Sequence, residues 1–103
     1  MEKKTPHYDL AVIKSEVRRL GKRAFTRSSE KTGLDLGFSH REMREIIFEL
    51  QQGMLYKSMT TYDNHRVWHD VYHVNSKDLE IYIKVTYRPG GGPPVISFKE
   101  RNP

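Results

Sequence analysis

An α+β fold is expected, with N-terminal helices packed on one side of a largely antiparallel, twisted sheet. Three observations lead there. Apolar residues recur at spacings of three and four in the first half, then on alternate positions from Tyr56 onward. Helices therefore precede strands instead of alternating with them, which disfavours a parallel α/β architecture. The only Pro/Gly cluster, Pro89-Gly90-Gly91-Gly92-Pro93-Pro94, lies between two strand-like runs and reads as a hairpin loop, not a linker. A chain of 103 residues is then expected to be a single domain, 1–103, around one core.

The elements follow in order. Thr5 has the chemistry to cap a first helix, with Pro6 at its first position. Leu10, Ile13, Val17 and Leu20 supply the buried stripe, and Gly21 supplies the stop. Lys22 to Thr26 is expected as a short edge strand, and Arg27 to Thr32 as a short helix ending at Gly33. Ser39 and Glu42 have capping-box spacing, and Phe38 is placed to staple onto Met43. Met43, Ile46, Ile47 and Leu50 then form a buried stripe that ends before Gly53. Strands are expected at about 55–62, 66–74, 79–87 and 95–99, from β-branched and aromatic residues at period two.

Composition narrows the function. There is no cysteine, so disulfides and thiolate metal sites are excluded. The N-terminus is charged and no apolar run reaches membrane-spanning length, so neither a secretory leader nor a membrane role is expected, and a cytoplasmic location is. Lys plus Arg number 18 against 13 Asp plus Glu, a formal net charge of +5. Such an excess suits a polyanion or an acidic protein partner. Simple solubility explains it equally well.

The chemistry concentrates between Leu55 and Lys99. In the strand Leu79–Arg88, the residues Leu79, Ile81, Ile83, Val85 and Tyr87 form an apolar face, while Glu80, Tyr82, Lys84 and Thr86 point the other way. Ile96 and Phe98 should join that apolar face, which leaves Val95, Ser97 and Lys99 beside Tyr82 and Lys84. Two registers are open, placing Lys99 opposite either Tyr82 or Lys84. Two cations beside one phenol repel each other unless an anion bridges them, and a phosphate is the natural bridge. The plain alternative is a lysine-rich solvated face. His65, His69 and His73 share one face of a strand, with neighbours ~13 Å apart at ~3.3 Å per residue. One metal ion cannot span that distance, so no metal site and no cofactor are expected. His65 and His73 read as solvated strand-end residues; His69, in mid-strand, is the candidate for chemistry. Lys57 alone reads as an edge-blunting lysine. Trp68 has a base-stacking reading, but packing in the core or at an edge is preferred.

The runs Met1-Glu2-Lys3-Lys4-Thr5-Pro6-His7, Tyr56-Lys57-Ser58-Met59-Thr60-Thr61-Tyr62, Trp68-His69-Asp70-Val71-Tyr72, Tyr82-Ile83-Lys84 and Ile96-Ser97-Phe98-Lys99-Glu100 together resemble the motility quorum-sensing regulator toxin family nearly end to end. These are ribonuclease toxins of bacterial type II toxin–antitoxin modules. The resemblance implies a RelE-like fold and metal-independent endoribonuclease activity on mRNA, favouring GC-containing triplets such as GCU. It also implies a cognate antitoxin partner with a zinc-binding domain and a helix-turn-helix domain. The family's active-site positions map onto Lys57, His69, Tyr82 and Lys99, and Lys84 and Tyr56 are expected to contact substrate. This chain departs by carrying His69 where a glutamine fits the family pattern, and by its Gly90-Gly91-Gly92-Pro93-Pro94 loop.

The residues suit that chemistry. Cleavage of RNA needs a base for the 2′-OH, cations for the phosphorane-like transition state and an acid for the 5′-O leaving group. The products would be a 2′,3′-cyclic phosphate and a 5′-OH. His69 suits base or acid; Tyr82 orients the phosphate or donates a proton; Lys57, Lys84 and Lys99 hold charge. Sequence leaves base and acid unassigned. It also leaves open a non-catalytic RNA- or ribosome-binding module, and an interaction protein whose charge serves only an acidic partner.

Overall fold

A computed structural model describes residues 1–102. The element order is β1 (Glu2–Lys3), α1 (Leu10–Leu20), α2 (Arg27–Asp35), α3 (His40–Glu49), β2 (Leu55–Thr60), β3 (Trp68–Ser76), β4 (Leu79–Val85) and β5 (Val95–Glu100). The strands form one five-stranded sheet in the order β1-β2-β3-β4-β5, antiparallel throughout. The expected α+β architecture is present.

The helices bury one face of the sheet. Ile13 and Val17 of α1 meet Met43, Ile46 and Ile47 of α3 over Tyr72, Ile81, Ile83, Val85, Val95 and Phe98 in one core. The α3 cap forms as its sequence implies: the Ser39 side chain accepts from the Glu42 amide, and the Glu42 carboxylate accepts from the Ser39 amide. Phe38 and Met43 are both buried.

Four local expectations are corrected. Thr5 and Pro6 do not start α1. The amides of His7 and Tyr8 donate to the buried Asp70 carboxylate instead, and Asp9 caps the helix by accepting from the Ala11 amide. Lys22–Thr26 is not a strand: Gly21–Ala24 is a 3-10 turn, and Phe25 makes an isolated parallel bridge to Val95. Gly33 does not end α2 but lies buried within it, where a Cβ would collide with the Met43 thioether. Its missing side chain allows the close approach of α2 to α3. Val95 is not on the open face. A register shift sets Val95 opposite Val85 and makes Ile96 the extra residue, so Val95 enters the core.

The two sheet edges are treated differently. Along β5, α2 supplies hydroxyl donors: Ser29 Oγ donates to Val95 O at 3.0 Å and Thr32 Oγ1 to Phe98 O at 2.5 Å. That covers carbonyls that would otherwise invite strand pairing. At the opposite edge only the two residues of β1 pair with β2, through Glu2–Met59 and Lys3–Ser58. Between β3 and β4, Lys77 and Asp78 both have positive φ, 52° and 61°. The type I′ geometry of a two-residue hairpin is thus carried by Lys-Asp without glycine.

Candidate active site

Among the described residues no helix covers the sheet's other face, and ladder register decides which side chains meet there. Tyr82 lies opposite Lys99 on one side and His73 on the other. One row along, Lys84 lies opposite Ser97 and Val71, and Val71 lies opposite Lys57. A third row holds His69 opposite Met59. Neighbouring strands are ~4.8 Å apart and same-face rows ~6.6 Å apart. The result is a shallow field with lysines across its middle, an aromatic row on one side and His69 on the other.

The middle row shows how the lysines are held. Val71 is fully buried although it lies on the open face, flanked in its row by Lys57 and Lys84. Burial and the charges of Lys99 and Lys57 push the Lys84 pKa below its ordinary value. Lys57 shifts the other way, because its ammonium donates to the Glu2 carboxylate at 2.6 Å. Lys99 is exposed, its Nζ 5.1 Å from the Tyr82 ring centroid; Lys84 Nζ is 5.8 Å from the same centroid. Among the described residues neither Lys84 nor Lys99 forms an ion pair. Two unpaired ammonium groups around one phenol attract an anion by Coulomb's law.

The aromatic row is continuous. Tyr56 stacks on His73 with ring centroids 4.4 Å apart and planes 20° from parallel, and His73 is 5.8 Å from Tyr82. Burial raises the Tyr82 phenol pKa, with Tyr56 adding to the rise and Lys57 opposing it. His73 is therefore a site neighbour and not merely a strand-end residue. The signal was available: His73 is nine residues before Tyr82, a separation that a two-residue hairpin at Lys77-Asp78 makes a direct cross-strand pair.

His69 stands apart from the phenol. It lines a cleft of about 590 Å³ together with Glu2, Met59, His65 and Lys84. Burial lowers its pKa most, followed by the charges of Lys84 and Arg88, while Asp70 opposes them. Its imidazole is thus biased toward the neutral form. Trp68 is neither core nor part of this field. It stacks on His7 at 4.9 Å, with Lys3 Nζ 4.3 Å from its ring centroid.

All four expected site residues, Lys57, His69, Tyr82 and Lys99, thus belong to one face, with Lys84 among them and Tyr56 at its rim. Among the described residues, no group of three or more His, Asp or Glu side chains is placed to hold a metal ion, and no helix is long and apolar enough to cross a membrane. What the face offers chemically is ammonium groups, a phenol pushed toward its protonated form and two imidazoles, His69 and His73, that burial biases toward the neutral form.

Comparison with known proteins agrees in kind. Residues 5–100 match the family described as motility quorum-sensing regulator, toxin of MqsA. The chain is also 37% identical over 101 residues to the mRNA interferase toxin MqsR of Escherichia coli (strain K12), covering 98% of this chain and 100% of that one.

Proposed function

Because the chain belongs to the motility quorum-sensing regulator toxin family, we propose that it is the toxin of a toxin–antitoxin pair and an endoribonuclease that cleaves mRNA. The observation that carries the reading is the Tyr82 phenol set between the unpaired ammonium groups of Lys84 and Lys99. Cleavage proceeds by attack of a ribose 2′-oxygen on the adjacent phosphorus. The O2′–P bond forms as the P–O5′ bond breaks, giving a 2′,3′-cyclic phosphate and a 5′-OH. The catalytic set is Lys57, His69, Tyr82 and Lys99, with Lys84 and Tyr56 binding substrate.

The pKa directions divide the labour. His69 is pushed toward its neutral form, which suits a base taking the 2′-OH proton. Tyr82 and Lys57 are pushed toward their protonated forms, which suits donation to the 5′-oxygen and charge stabilisation. Lys84 and Lys99 hold the non-bridging oxygens, and the phosphate in turn relieves their mutual repulsion.

The family description supports an antitoxin partner. The finer expectations belong to the same reading: an antitoxin with zinc-binding and helix-turn-helix domains, GC-containing cleavage triplets, a cytoplasmic location and residues 1–103 acting as one domain. The test is incubation of the purified protein with a defined mRNA in EDTA, followed by mapping of fragment ends. Cleavage leaving cyclic phosphate and 5′-OH ends is expected. Intact RNA, or cleavage restored only by added Mg²⁺ or Zn²⁺, overturns the reading. Salt-sensitive RNA binding without cleavage would point to the non-catalytic RNA-binding module instead.

A further inference from the structure

Lys57 is tied to a residue far away in sequence. Glu2, on β1, accepts its ammonium proton at 2.6 Å through Oε1. Among the described residues Glu2 is the one carboxylate paired with a lysine of the site.

A two-residue strand is too short for its ladder alone to hold it, and the fold anchors it elsewhere. The buried carboxylate of Asp70 accepts the His7 amide at 3.0 Å, the Tyr8 amide at 2.9 Å and the Ser58 hydroxyl at 2.5 Å. Ser58 Oγ is also 2.8 Å from the Thr5 carbonyl. His7 stacks on Trp68. These contacts bind the segment after β1 to β2 and β3, and so fix where Glu2 stands. That place is the rim of the lysine field. Glu2 also lines the cleft that His69 and Lys84 share, so one carboxylate adjoins both halves of the site.

We infer that Glu2 is a positioning residue of this site, holding the Lys57 ammonium in place so that it meets the scissile phosphate already oriented. The inference rests on the RNA-cleaving reading above and deepens it. An ammonium has three N–H donors, so the bond to Glu2 leaves two for phosphate oxygens. A free lysine must lose rotamer freedom when it binds; one fixed in advance does not. The pairing also keeps the ammonium charged. Glu2 is the leading cause of the raised Lys57 pKa; Tyr56 on β2 and Tyr82 on β4 add to it, and burial opposes it. Lys84 also feels the Lys57 charge from β4, and Glu2 feels the Lys4 charge from beside β1.

The test compares wild type, Glu2→Gln and Glu2→Asp for cleavage of a short RNA oligonucleotide, and follows the Lys57 side chain by NMR through a pH titration. For Glu2→Gln, kcat should fall by roughly 10- to 100-fold with a smaller change in KM, in line with what a displaced catalytic group costs. Its Lys57 titration should move to lower pH. Glu2→Asp should recover part of both. Unchanged kcat in Glu2→Gln would make the contact a mere edge ion pair and overturn the inference. Tighter RNA binding and faster cleavage would overturn it too, since the carboxylate would then compete with phosphate. So would a fall in kcat with an unmoved Lys57 titration, because Glu2 would not be acting through Lys57. A wild-type protein that leaves RNA intact removes the function itself, whereas active wild type with an unaffected Glu2→Gln variant removes only the role of Glu2.

Discussion

Tyr82 and Lys99 face each other directly across the β4–β5 ladder, with the ammonium 5.1 Å from the centroid of the phenol ring. Of the two registers compatible with the apolar pattern, this one joins a proton donor to a cation. The other would have joined two cations. The pairing gives the open face a defined centre, and a mutation at either residue probes that centre without entering the core.

Lys99→Ala should therefore separate function from folding. The side chain is exposed, and surface changes of this kind usually shift stability by no more than ~0.5 kcal/mol. RNA cleavage should fall far more than that implies. Thermal melting and initial cleavage rates, measured on one preparation, decide it; normal cleavage by Lys99→Ala removes the residue from the site.

His69 offers a pH signature. Burial, Lys84 and Arg88 lower its pKa, against the opposing charge of Asp70. A base must be unprotonated, so the rate should fall as pH drops through a value below the ordinary histidine pKa of about 6.5. Removing a positive neighbour should raise that value, so Arg88→Ala should move the acid limb to higher pH. His69→Gln should abolish the limb and slow cleavage, typically by ~10²- to 10⁴-fold for a proton-transfer group. A Gln variant with wild-type rate and profile would show that residue 69 only hydrogen-bonds substrate.

The open face was legible because period two is a local property. Tyr82, Lys84 and Lys99 follow from alternation alone, and the apolar partners of each strand restrict the register. What escaped was set by contacts across long separations. Glu2 reaches Lys57, and His7 and Tyr8 reach Asp70, over more than fifty residues. A lone aspartate in a β-branched strand carries no local sign that two backbone amides will satisfy it. Thr5-Pro6 reads as a helix start for the same reason: capping residues are recognised locally, but the amides that would enter the helix are already donated to Asp70. Val95 failed differently. One extra residue at Ile96 reverses the facing of everything before it, and no composition signal marks where a bulge falls.

Asp70→Ala tests the anchor. Replacing this fully buried carboxylate orphans the amides of His7 and Tyr8, at about 1–3 kcal/mol for each donor left buried and unpaired, while the Ser58 hydroxyl keeps the Thr5 carbonyl as acceptor. Strong destabilisation is expected, with early hydrogen exchange at residues 2–8. Asp70→Asn retains an acceptor oxygen and should lose less. Equal stability of Asp70→Ala and wild type in denaturant titration would contradict the anchoring role.

Among the described residues Tyr72 is one of three side chains, with His40 and Arg44, that bury a polar atom without a hydrogen-bond partner. Its side chain is fully buried in the core, and its hydroxyl has no hydrogen-bond partner. Burial pushes its pKa up to about 12, with the negative charge of Asp70 adding to the rise. A folded-state pKa above the unfolded value means that folding favours the protonated phenol. That contribution is complete below about pH 10 and is lost as pH rises through the folded-state value of about 12. Tyr72→Phe removes the hydroxyl while keeping the ring in the core. It should leave stability at neutral pH unchanged or raise it by about 1 kcal/mol, since an unpaired buried hydroxyl is unfavourable. It should also flatten the alkaline loss between roughly pH 10 and 12. Urea titrations of both proteins at pH 7 and pH 11 read the two effects separately. A Phe variant less stable than wild type at pH 7 would mean that the hydroxyl has a partner in solution, and equal losses at pH 11 would mean that Tyr72 is not the group responsible.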